Sequence, residues 1–334
     1  MIIILSFLLL IIILILLIIN YVKKWNNKLY YKPVDFNNYN LYDCFMISSG
    51  EEDLLLLRLK LLYPYVTKFI IIDSDKSHRG HNKDLVNMNN IPNYIKNKII
   101  YENCIYPDYL NIDIIEKTAI DKFWKREYYQ RNRIMYYLSK ISNDNDICFI
   151  GDADEIPYYD KLLKKINNNS INFLELPTFV YNINWFQHKY HPAAAICSRF
   201  KYLKNIDISK ERFKTKKIKK QIVNYKDNVI IHLNRFGNPY VLLLKETHMV
   251  ESNNKEKNLN VSKIRDYFNR VCNGIWEDNE IIQNNNIKFP QLVYDILHPI
   301  HTMNITELKN LFIKVSKLSD NELVKFTKIF FNYR

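Results

Sequence analysis

The chain has 334 residues, of which 48% are hydrophobic and 14% aromatic, a composition that excludes an intrinsically disordered protein. Its length allows one large domain or two small ones with a substantial core. The formal net charge is +13, but the basic residues are spread along the chain apart from the run 214–220, so we interpret them as a solvated surface and expect no nucleic-acid partner.

The first element in the chain is an apolar run from Ile2 to Ile19 that only Ser6 interrupts. As a helix rising ~1.5 Å per residue, a run of this length spans about 27 Å, close to the hydrocarbon thickness of a bilayer. A cleaved signal peptide is the alternative, but it would need a positive n-region and a small-residue cleavage site, and the sequence has neither. We therefore predict a transmembrane anchor over 1–20 and a stem over 21–40.

A β/α pattern begins at residue 41. Apolar and β-branched runs predict strands over 41–47, 66–73, 98–102, 146–150 and 171–176. Helices are predicted over 51–63 with Ser49 as N-cap, over 116–140, and shortly after Pro157. The alternation predicts an α/β fold with a mostly parallel central sheet and ligands at the carboxyl ends of its strands. We expect this domain over 41–303, including a less regular aromatic stretch, and a helical segment over 304–334.

An acidic motif follows the fourth predicted strand. The strand runs into Gly151, which allows a tight turn, and then into Asp152-Ala153-Asp154. In extended backbone, the i, i+2 spacing places both aspartates on one side. Two carboxylates with coordination positions left open suit Mg²⁺ or Mn²⁺ bridging substrate phosphates. Acidic turns are common, so the motif gains weight only from the buried strand before it and the Glu-Ile-Pro sequence after it.

The long helix predicted over 116–140 carries a second polar group. Arg131 falls on the same helical stripe as Trp124 and Tyr128, at ~100° per residue. A guanidinium on a core-facing stripe needs a carboxylate or phosphate partner. That partner is either Glu127, at the favourable i, i+4 spacing, or the acidic motif and the substrate phosphates. The sequence leaves both alternatives open.

Several motifs occur together in an order that resembles a known family. They are Tyr42-Asp43-Cys44-Phe45, Asp53-Leu54-Leu55, Arg58-Leu59, Asp73-Ser74 with Lys76 and Gly80, Trp124, Glu127, Gln130-Arg131-Asn132, Asp152-Ala153-Asp154-Glu155-Ile156-Pro157, Tyr181-Asn182-Ile183-Asn184-Trp185, and His232-Leu233 with Phe236-Gly237. Together they cover roughly residues 41–273. The sequence resembles glycosyltransferase family 17, the β-1,4-mannosyl-glycoprotein N-acetylglucosaminyltransferases that add the bisecting GlcNAc of N-glycans.

The resemblance implies a GT-A-type nucleotide-sugar-binding fold, UDP-GlcNAc as donor, Mn²⁺ or Mg²⁺ as cofactor, and inversion at the anomeric carbon. The implied acceptor is a glycan or glycoprotein, at the β-linked mannose of an N-glycan core. Asp152 and Asp154 would bind the metal. The residues implied to bind the donor are Asp43, Asp73, Gln130, Arg131, Asp152 and His232.

An inverting transfer needs one general base for the acceptor hydroxyl. The acidic candidates are Glu155, Glu246, Glu251 and Asp227, and no spacing argument selects one of them. His232 either binds the diphosphate or is a core histidine, and His248 poses the same question. Trp185 and Tyr181 either stack on sugar rings or belong to the core.

Cellular location and function each have more than one interpretation at this point. An enzyme of this kind is expected to face the lumen of the secretory pathway as a single-pass membrane protein, whereas Lys23, Lys24 and Lys28 after the span favour the opposite orientation. Five widely spaced cysteines leave the disulfide state open. An active glycosyltransferase is the leading hypothesis. The alternatives are a membrane-tethered glycan-binding protein on an inactive transferase scaffold and a basic, metal-dependent nucleotidyl or nucleic-acid enzyme.

Overall fold

The structure is a computed structural model that describes residues 39–48, 50–78, 80, 82–110, 120–187, 195–213, 220–223, 225–237, 261–275, 281–283 and 288–331. The predicted anchor over 1–20 and all but the last two residues of the stem lie outside the described residues. Among the helices that are described, none combines the length and the apolar character needed to cross a bilayer.

Twelve strands occur in the described chain and form two sheets. They are β1 (Leu41–Met46), β2 (Lys68–Asp73), β3 (Ile99–Asn103), β4 (Ile147–Asp152), β5 (Glu155–Pro157), β6 (Ile171–Leu174), β7 (Thr178–Val180), β8 (Trp185–Gln187), β9 (Ala195–Arg199), β10 (Lys220–Val223), β11 (Ile230–Asn234) and β12 (Ile281–Gln283). The first sheet has the order β10-β6-β9-β4-β1-β2-β3, and the second has the order β12-β8-β7-β11-β5.

One side of the first sheet is parallel, as the β/α pattern predicts. Strands β3, β2, β1 and β4 run in the same direction, so their carboxyl ends meet at one edge. The runs 70–72 and 147–150 are fully or almost fully buried, as expected for strands covered on both faces. Strand β9 departs from the prediction because it inserts antiparallel between β4 and β6. The sheet is therefore mixed, with its parallel part next to the acidic motif.

The described residues also form ten α-helices. They are α1 (Glu52–Leu62), α2 (Asn93–Lys96), α3 (Ile120–Ile141), α4 (Tyr159–Leu162), α5 (Phe200–Leu203), α6 (Ile208–Phe213), α7 (Val261–Asn273), α8 (Gln291–Ile296), α9 (Ile305–Ser316) and α10 (Asp320–Phe331). Helix α3 packs on β2 and β1, and its buried residues Ile134 and Leu138 share a cluster with Cys44 and Cys148. The predicted N-cap of α1, Ser49, lies outside the described residues. The residue at the cap position is Glu51, whose side chain does not cap the helix.

The second sheet contains most of the stretch that the sequence shows only as aromatic and irregular. Its strands are short, and the register between β5 and β11 places Glu155 opposite His232. Strand β5 starts directly after the acidic turn, so the second sheet brings His232 beside the end of β4. A three-residue strand carries too little periodicity to be recognised from sequence.

The C-terminal segment predicted over 304–334 forms the two helices α9 and α10. Both pack against α7, where Leu308, Leu323 and Phe331 join Tyr267 and Phe268 in one apolar cluster. Asn304 and Glu307 form a capping box that begins α9. All described residues belong to the one compact unit Asn38–Arg334, so these helices are part of the domain rather than an appendage.

All five cysteines are buried and carry free thiols. Burial also raises the pKa of each thiol, for instance that of Cys104 to about 12. These cysteines are packed as small apolar side chains and form no disulfide.

A buried histidine joins the loops that follow two strands of the second sheet. His301 is fully buried; its Nδ1 lies 2.5 Å from the carbonyl oxygen of Tyr181 and its Nε2 lies 2.8 Å from that of Gly237. Burial lowers the pKa of His301 to about 4, although the two carbonyl contacts act in the opposite direction. Below its ordinary pKa of 6.5, the unfolded chain therefore takes up a proton that the folded chain does not.

The free energy of unfolding should consequently decrease as the pH falls from about 6.5 towards about 4. We expect His301 to contribute roughly 2 kcal/mol to the loss between pH 7 and pH 5. Urea unfolding at the two pH values should show a smaller difference for His301→Gln than for the wild type. Thr302→Ala removes a neighbouring side chain that does not titrate and should keep the wild-type difference. Equal differences in His301→Gln and the wild type would contradict the assignment.

Candidate active site

The acidic motif forms the connection between the two sheets. Asp152 is the last residue of β4, residues 153 and 154 form a turn, and Glu155 begins β5. The side chains of Asp152 and Asp154 are 36% and 23% exposed. Glu155, by contrast, is only 2% exposed. The two aspartates are thus the members of the motif that reach solvent at the carboxyl edge of the parallel strands.

Two buried arginines converge on Asp152. Arg131 of α3 donates from Nη2 to Oδ1 of Asp152 at 3.1 Å, and Arg212 of α6 donates from Nη1 to the same oxygen at 2.9 Å. Burial acts to raise the pKa of Asp152, but the two guanidiniums outweigh it and hold this pKa far below its ordinary value. Asp152 is therefore ionised throughout the physiological pH range.

Both alternatives for Arg131 are realised at once. Its Nη2 also contacts Oε1 of Glu127 at 2.8 Å, so one nitrogen connects the neighbouring helix turn with the acidic motif. The Nε and Nη1 atoms of Arg131 are buried and receive no hydrogen-bond partner from the described residues. These two nitrogen atoms lie beside the motif and can still donate hydrogen bonds to a ligand.

Arg212 is a site residue that the sequence analysis missed. It is 1% exposed and donates from Nη2 to Oε1 of Glu155 at 2.6 Å in addition to its bond with Asp152. The second oxygen of Glu155 accepts the backbone N–H of Asp152 at 2.8 Å. Burial raises the pKa of Glu155, while Arg212 opposes that rise. Both oxygens of Glu155 are thus occupied in holding the motif, which leaves neither directed towards an acceptor hydroxyl.

The glycine before the motif is required by Glu155 rather than by a tight turn. A Cβ at Gly151 would lie 2.7 Å from Oε2 of Glu155 and 2.9 Å from the ring of Phe149. The φ angle of Gly151 is not in the left-handed region that favours glycine, so close approach explains the residue.

His232 contacts the other aspartate of the motif. Its Nε2 lies 3.3 Å from Oδ2 of Asp154, and its Nδ1 lies 3.1 Å from Oγ1 of Thr178. Burial lowers the pKa of His232, but Asp154, followed by Glu155 and Asp152, raises it above its ordinary value. The structure thus brings three of the implied donor-site residues together at the motif: Arg131, Asp152 and His232.

Asp43 lies elsewhere, in the middle of the central sheet. It is fully buried, and both of its oxygens accept hydrogen bonds from Arg58, at 2.8 and 2.7 Å. The hydroxyl of Tyr159 donates to Oδ1 at 2.9 Å. Asp43 is therefore a core carboxylate paired with Arg58 and is not exposed to a ligand. Arg58 itself contacts the backbone of the acidic motif, a role that the sequence analysis did not predict.

Asp73 and Gln130 hold the loop that follows β2. The carboxylate of Asp73 accepts the N–H groups of Ser74 and Val86, the ammonium of Lys83 and the hydroxyl of Tyr101. Gln130 donates from Nε2 to the carbonyl oxygen of Ile72 at 3.0 Å, and its Oε1 accepts the hydroxyl of Tyr106. Both residues are buried, so they shape the edge of the sheet from within the protein.

The remaining candidates divide into three groups. Glu246, His248 and Glu251 lie outside the described residues. Asp227 pairs with Lys165 on the surface at 2.8 Å. Tyr181 is buried against the ring of Tyr267, and Trp185 is partly buried and donates from Nε1 to the carbonyl oxygen of Val271 at 2.6 Å. The contacts of both aromatic residues are those of a core, which favours the structural alternative.

The charges at the motif favour a cation. Arg131 and Arg212 form ion pairs with three carboxylates, those of Glu127, Asp152 and Glu155. Asp154 adds a fourth carboxylate, so the formal charge of this group is −2 before His232 is counted. A protonated His232 reduces this to −1. Negative charge next to two partly exposed carboxylates attracts a divalent ion.

The donor atoms also fit such an ion. Both arginines contact Oδ1 of Asp152, and His232 contacts Oδ2 of Asp154, so one oxygen of each carboxylate takes no hydrogen bond from the described residues. Within the described ranges, no three or more His, Cys, Asp or Glu side chains are grouped as metal ligands. A cation here would have two carboxylate ligands and complete its shell with phosphate oxygens and water, as Mg²⁺ commonly does.

Comparison with known protein families gives a match that covers the site. The sequence model of glycosyltransferase family 17 matches residues 22–212, more than half of the chain. This range includes the acidic motif, both arginines at Asp152 and the pair Asp43–Arg58. No curated protein matches the sequence.

Proposed function

The chain belongs to glycosyltransferase family 17 and is a glycosyltransferase, and on that premise we propose that it transfers GlcNAc from UDP-GlcNAc with the help of a divalent cation at Asp152 and Asp154. The observation that carries the proposal is the pair of partly exposed carboxylates at the carboxyl edge of the parallel strands, each with one oxygen left for a cation. This edge is where ligands bind in sheets of this kind. Inversion at the anomeric carbon and an N-glycan core mannose as acceptor remain part of the proposal.

The residues of the chain have distinct tasks in this reaction. Asp152 and Asp154 would hold the Mn²⁺ or Mg²⁺ ion. When bound, that ion supplies positive charge to the leaving diphosphate. Two buried nitrogens of Arg131, Nε and Nη1, have no hydrogen-bond partner among the described residues, and a phosphate oxygen is a strong acceptor for their N–H groups. Arg212 keeps the carboxylates of Asp152 and Glu155 in place.

Two of the four candidates for the general base, Glu155 and Asp227, lie among the described residues. Glu155 has both oxygens engaged, and Asp227 is paired with a surface lysine. Glu155 would have to give up an existing contact before it accepted a proton. Glu246 and Glu251 are therefore our preferred candidates, and separate Gln variants of each would identify the one on which kcat depends.

Metal removal gives a direct test of the proposal. We expect the detergent-solubilised full chain to release UDP from UDP-GlcNAc when Mn²⁺ and an N-glycan acceptor are present. EDTA should reduce this rate by at least about 100-fold, and excess Mn²⁺ should restore it, because the leaving diphosphate then loses and regains its counter-charge. The measurement is UDP release together with mass spectrometry of the acceptor.

Two controls separate the proposal from its alternatives. UDP-galactose in place of UDP-GlcNAc tests the donor, and a mannose-free acceptor tests the glycan. Glycan binding that EDTA leaves unchanged, with no UDP released under any condition, would instead indicate a tethered glycan-binding protein on an inactive scaffold. Full activity in EDTA would contradict the cation at Asp152 and Asp154.

A further inference from the structure

We infer that Arg58 is a positioning residue for the proposed cation site, because its guanidinium fixes the backbone of the acidic turn from inside the core. The inference rests on the proposed function, since the cation is part of that proposal. Arg58 comes from α1 and is fully buried.

One nitrogen of Arg58 contacts three backbone carbonyls of the turn segment. Nη1 lies 2.9 Å from the carbonyl oxygen of Asp152, 3.3 Å from that of Ala153 and 2.7 Å from that of Glu155. The fourth carbonyl of the segment, that of Asp154, accepts the N–H of Leu233 at 2.9 Å. Every backbone carbonyl from 152 to 155 thus accepts a hydrogen bond, and three of the four accept from Arg58.

This arrangement follows from the chain reversal between the two sheets. β5 begins only two residues after β4 ends, and within this short connection the carbonyl of Asp154 accepts from β11, whereas those of Asp152, Ala153 and Glu155 accept from Arg58. Buried carbonyl groups without donors are costly, so a turn of this shape needs a donor from another element. A guanidinium is suited to the task because it presents several N–H groups in a fixed plane.

Arg58 is itself held rigidly. Its Nε and Nη2 donate to the two oxygens of Asp43, and its charge lies 4.3 Å from the ring centre of Phe45 and 5.2 Å from that of Phe149. Tyr159 in turn holds Asp43. Asp43 of β1 therefore holds Arg58, and Arg58 in turn holds the backbone of the turn that carries the two aspartates. A metal site requires its ligands to be held within about 0.5 Å, and loss of such supporting contacts typically weakens metal binding by about 10- to 100-fold.

The test compares the Kd for Mn²⁺ of the full-length Arg58→Lys variant with that of the wild type, in the presence of saturating UDP. Electron paramagnetic resonance of the free Mn²⁺ measures the binding. Lysine keeps the charge opposite Asp43 but cannot serve that carboxylate and the three carbonyls together. We expect the Kd for Mn²⁺ to rise by at least about 10-fold. We also expect kcat to fall while the KM for the glycan acceptor stays within about twofold, because Arg58 is fully buried and cannot contact the acceptor itself.

Arg126→Lys is the matched control. Arg126 is also fully buried and also donates to backbone carbonyls, those of Leu110 and His78, but these lie in other loops. The Arg126→Lys variant should lose about as much thermal stability as Arg58→Lys does, but it should keep the wild-type Kd for Mn²⁺. If Arg58→Lys does not fold by circular dichroism, Tyr159→Phe takes its place, because it loosens Asp43 while keeping Arg58. For Tyr159→Phe we expect the Kd for Mn²⁺ to rise by about two- to fivefold. An unchanged Kd for Mn²⁺ in this variant would overturn the inference.

The outcomes separate the inference from the proposed function. If the wild type binds Mn²⁺, Asp154→Asn abolishes that binding, and folded Arg58→Lys keeps the wild-type Kd, then Arg58 has no positioning role and the proposed function stands. If the wild type binds no Mn²⁺ with UDP present, the proposed cation site is wrong, and the inference about Arg58 is overturned with it.

Discussion

Replacing Asp154 with asparagine is expected to lower kcat/KM for UDP-GlcNAc by at least about 100-fold, which corresponds to roughly 2.7 kcal/mol of transition-state stabilisation. The substitution keeps the size of the side chain and removes one of the two charges proposed to bind the cation. The only ion pair that Asp154 makes with the described residues is the one with His232, so loss of this carboxylate should disturb the fold little. Steady-state kinetics with Mn²⁺ and the Kd for Mn²⁺ in the presence of UDP are the two measurements.

Asp160→Asn provides the control for this prediction. Asp160 lies six residues further along the chain in α4, is partly exposed, and makes no ion pair with the described residues. The same chemical change there should leave kcat/KM within about twofold. Asp154→Asn with wild-type affinity for Mn²⁺ would show that the cation, if there is one, binds elsewhere. Asp152→Asn is less suited to this test, because Arg131 and Arg212 would lose their shared partner and the fold would respond as well.

The parallel part of the fold could be predicted from sequence because its signals are local and long. The runs that form β1, β2 and β4 are buried on both faces and therefore apolar throughout, and α3 has enough turns for its periodicity to emerge. The second sheet lacks both advantages. Four of its five strands, β5, β7, β8 and β12, have only three residues, and, apart from the neighbouring strands β7 and β8, the paired strands are far apart in sequence. Such contacts are decided by tertiary packing and leave no local pattern.

The residues of the site also differ in whether they could be predicted from local sequence alone. Asp152 and Asp154 are recognisable because they follow a buried strand directly. Arg212 is not, because it lies in a six-residue helix within a basic region and meets Asp152 only through the fold. Asp43 illustrates the opposite difficulty. Its motif resembles that of a family with a donor site, but the motif alone does not distinguish a residue that contacts a ligand from one that supports the site from the core.

The Asp43–Arg58 pair carries the largest stability effect that we expect. Asp43→Ala should lower the free energy of unfolding by about 3–5 kcal/mol, because it leaves the guanidinium of Arg58 buried without its carboxylate. Both side chains are fully buried, so water cannot replace the lost partner. Urea denaturation of the wild type and the variant measures the difference. Asp144→Ala is the matched control: Asp144 pairs with Lys204 at a similar distance, but the two side chains are 61% and 44% exposed, and such pairs contribute only about 0–1 kcal/mol.

A double variant tests whether Arg58 stabilises the protein beyond its ion pair with Asp43, through its hydrogen bonds to the acidic turn. Replacing a buried ion pair by apolar residues of similar size is often close to neutral, so Asp43→Leu with Arg58→Met would restore stability if the pair were all that mattered. It should not do so here, because the carbonyls of Asp152, Ala153 and Glu155 lose their donor together with the guanidinium, and the buried hydroxyl of Tyr159 loses its acceptor Asp43. We expect the double variant to remain at least about 2 kcal/mol less stable than the wild type, in line with the cost of buried carbonyl groups left without partners. Full recovery of stability would mean that these three carbonyls find other donors, and that the acidic turn keeps its shape without Arg58.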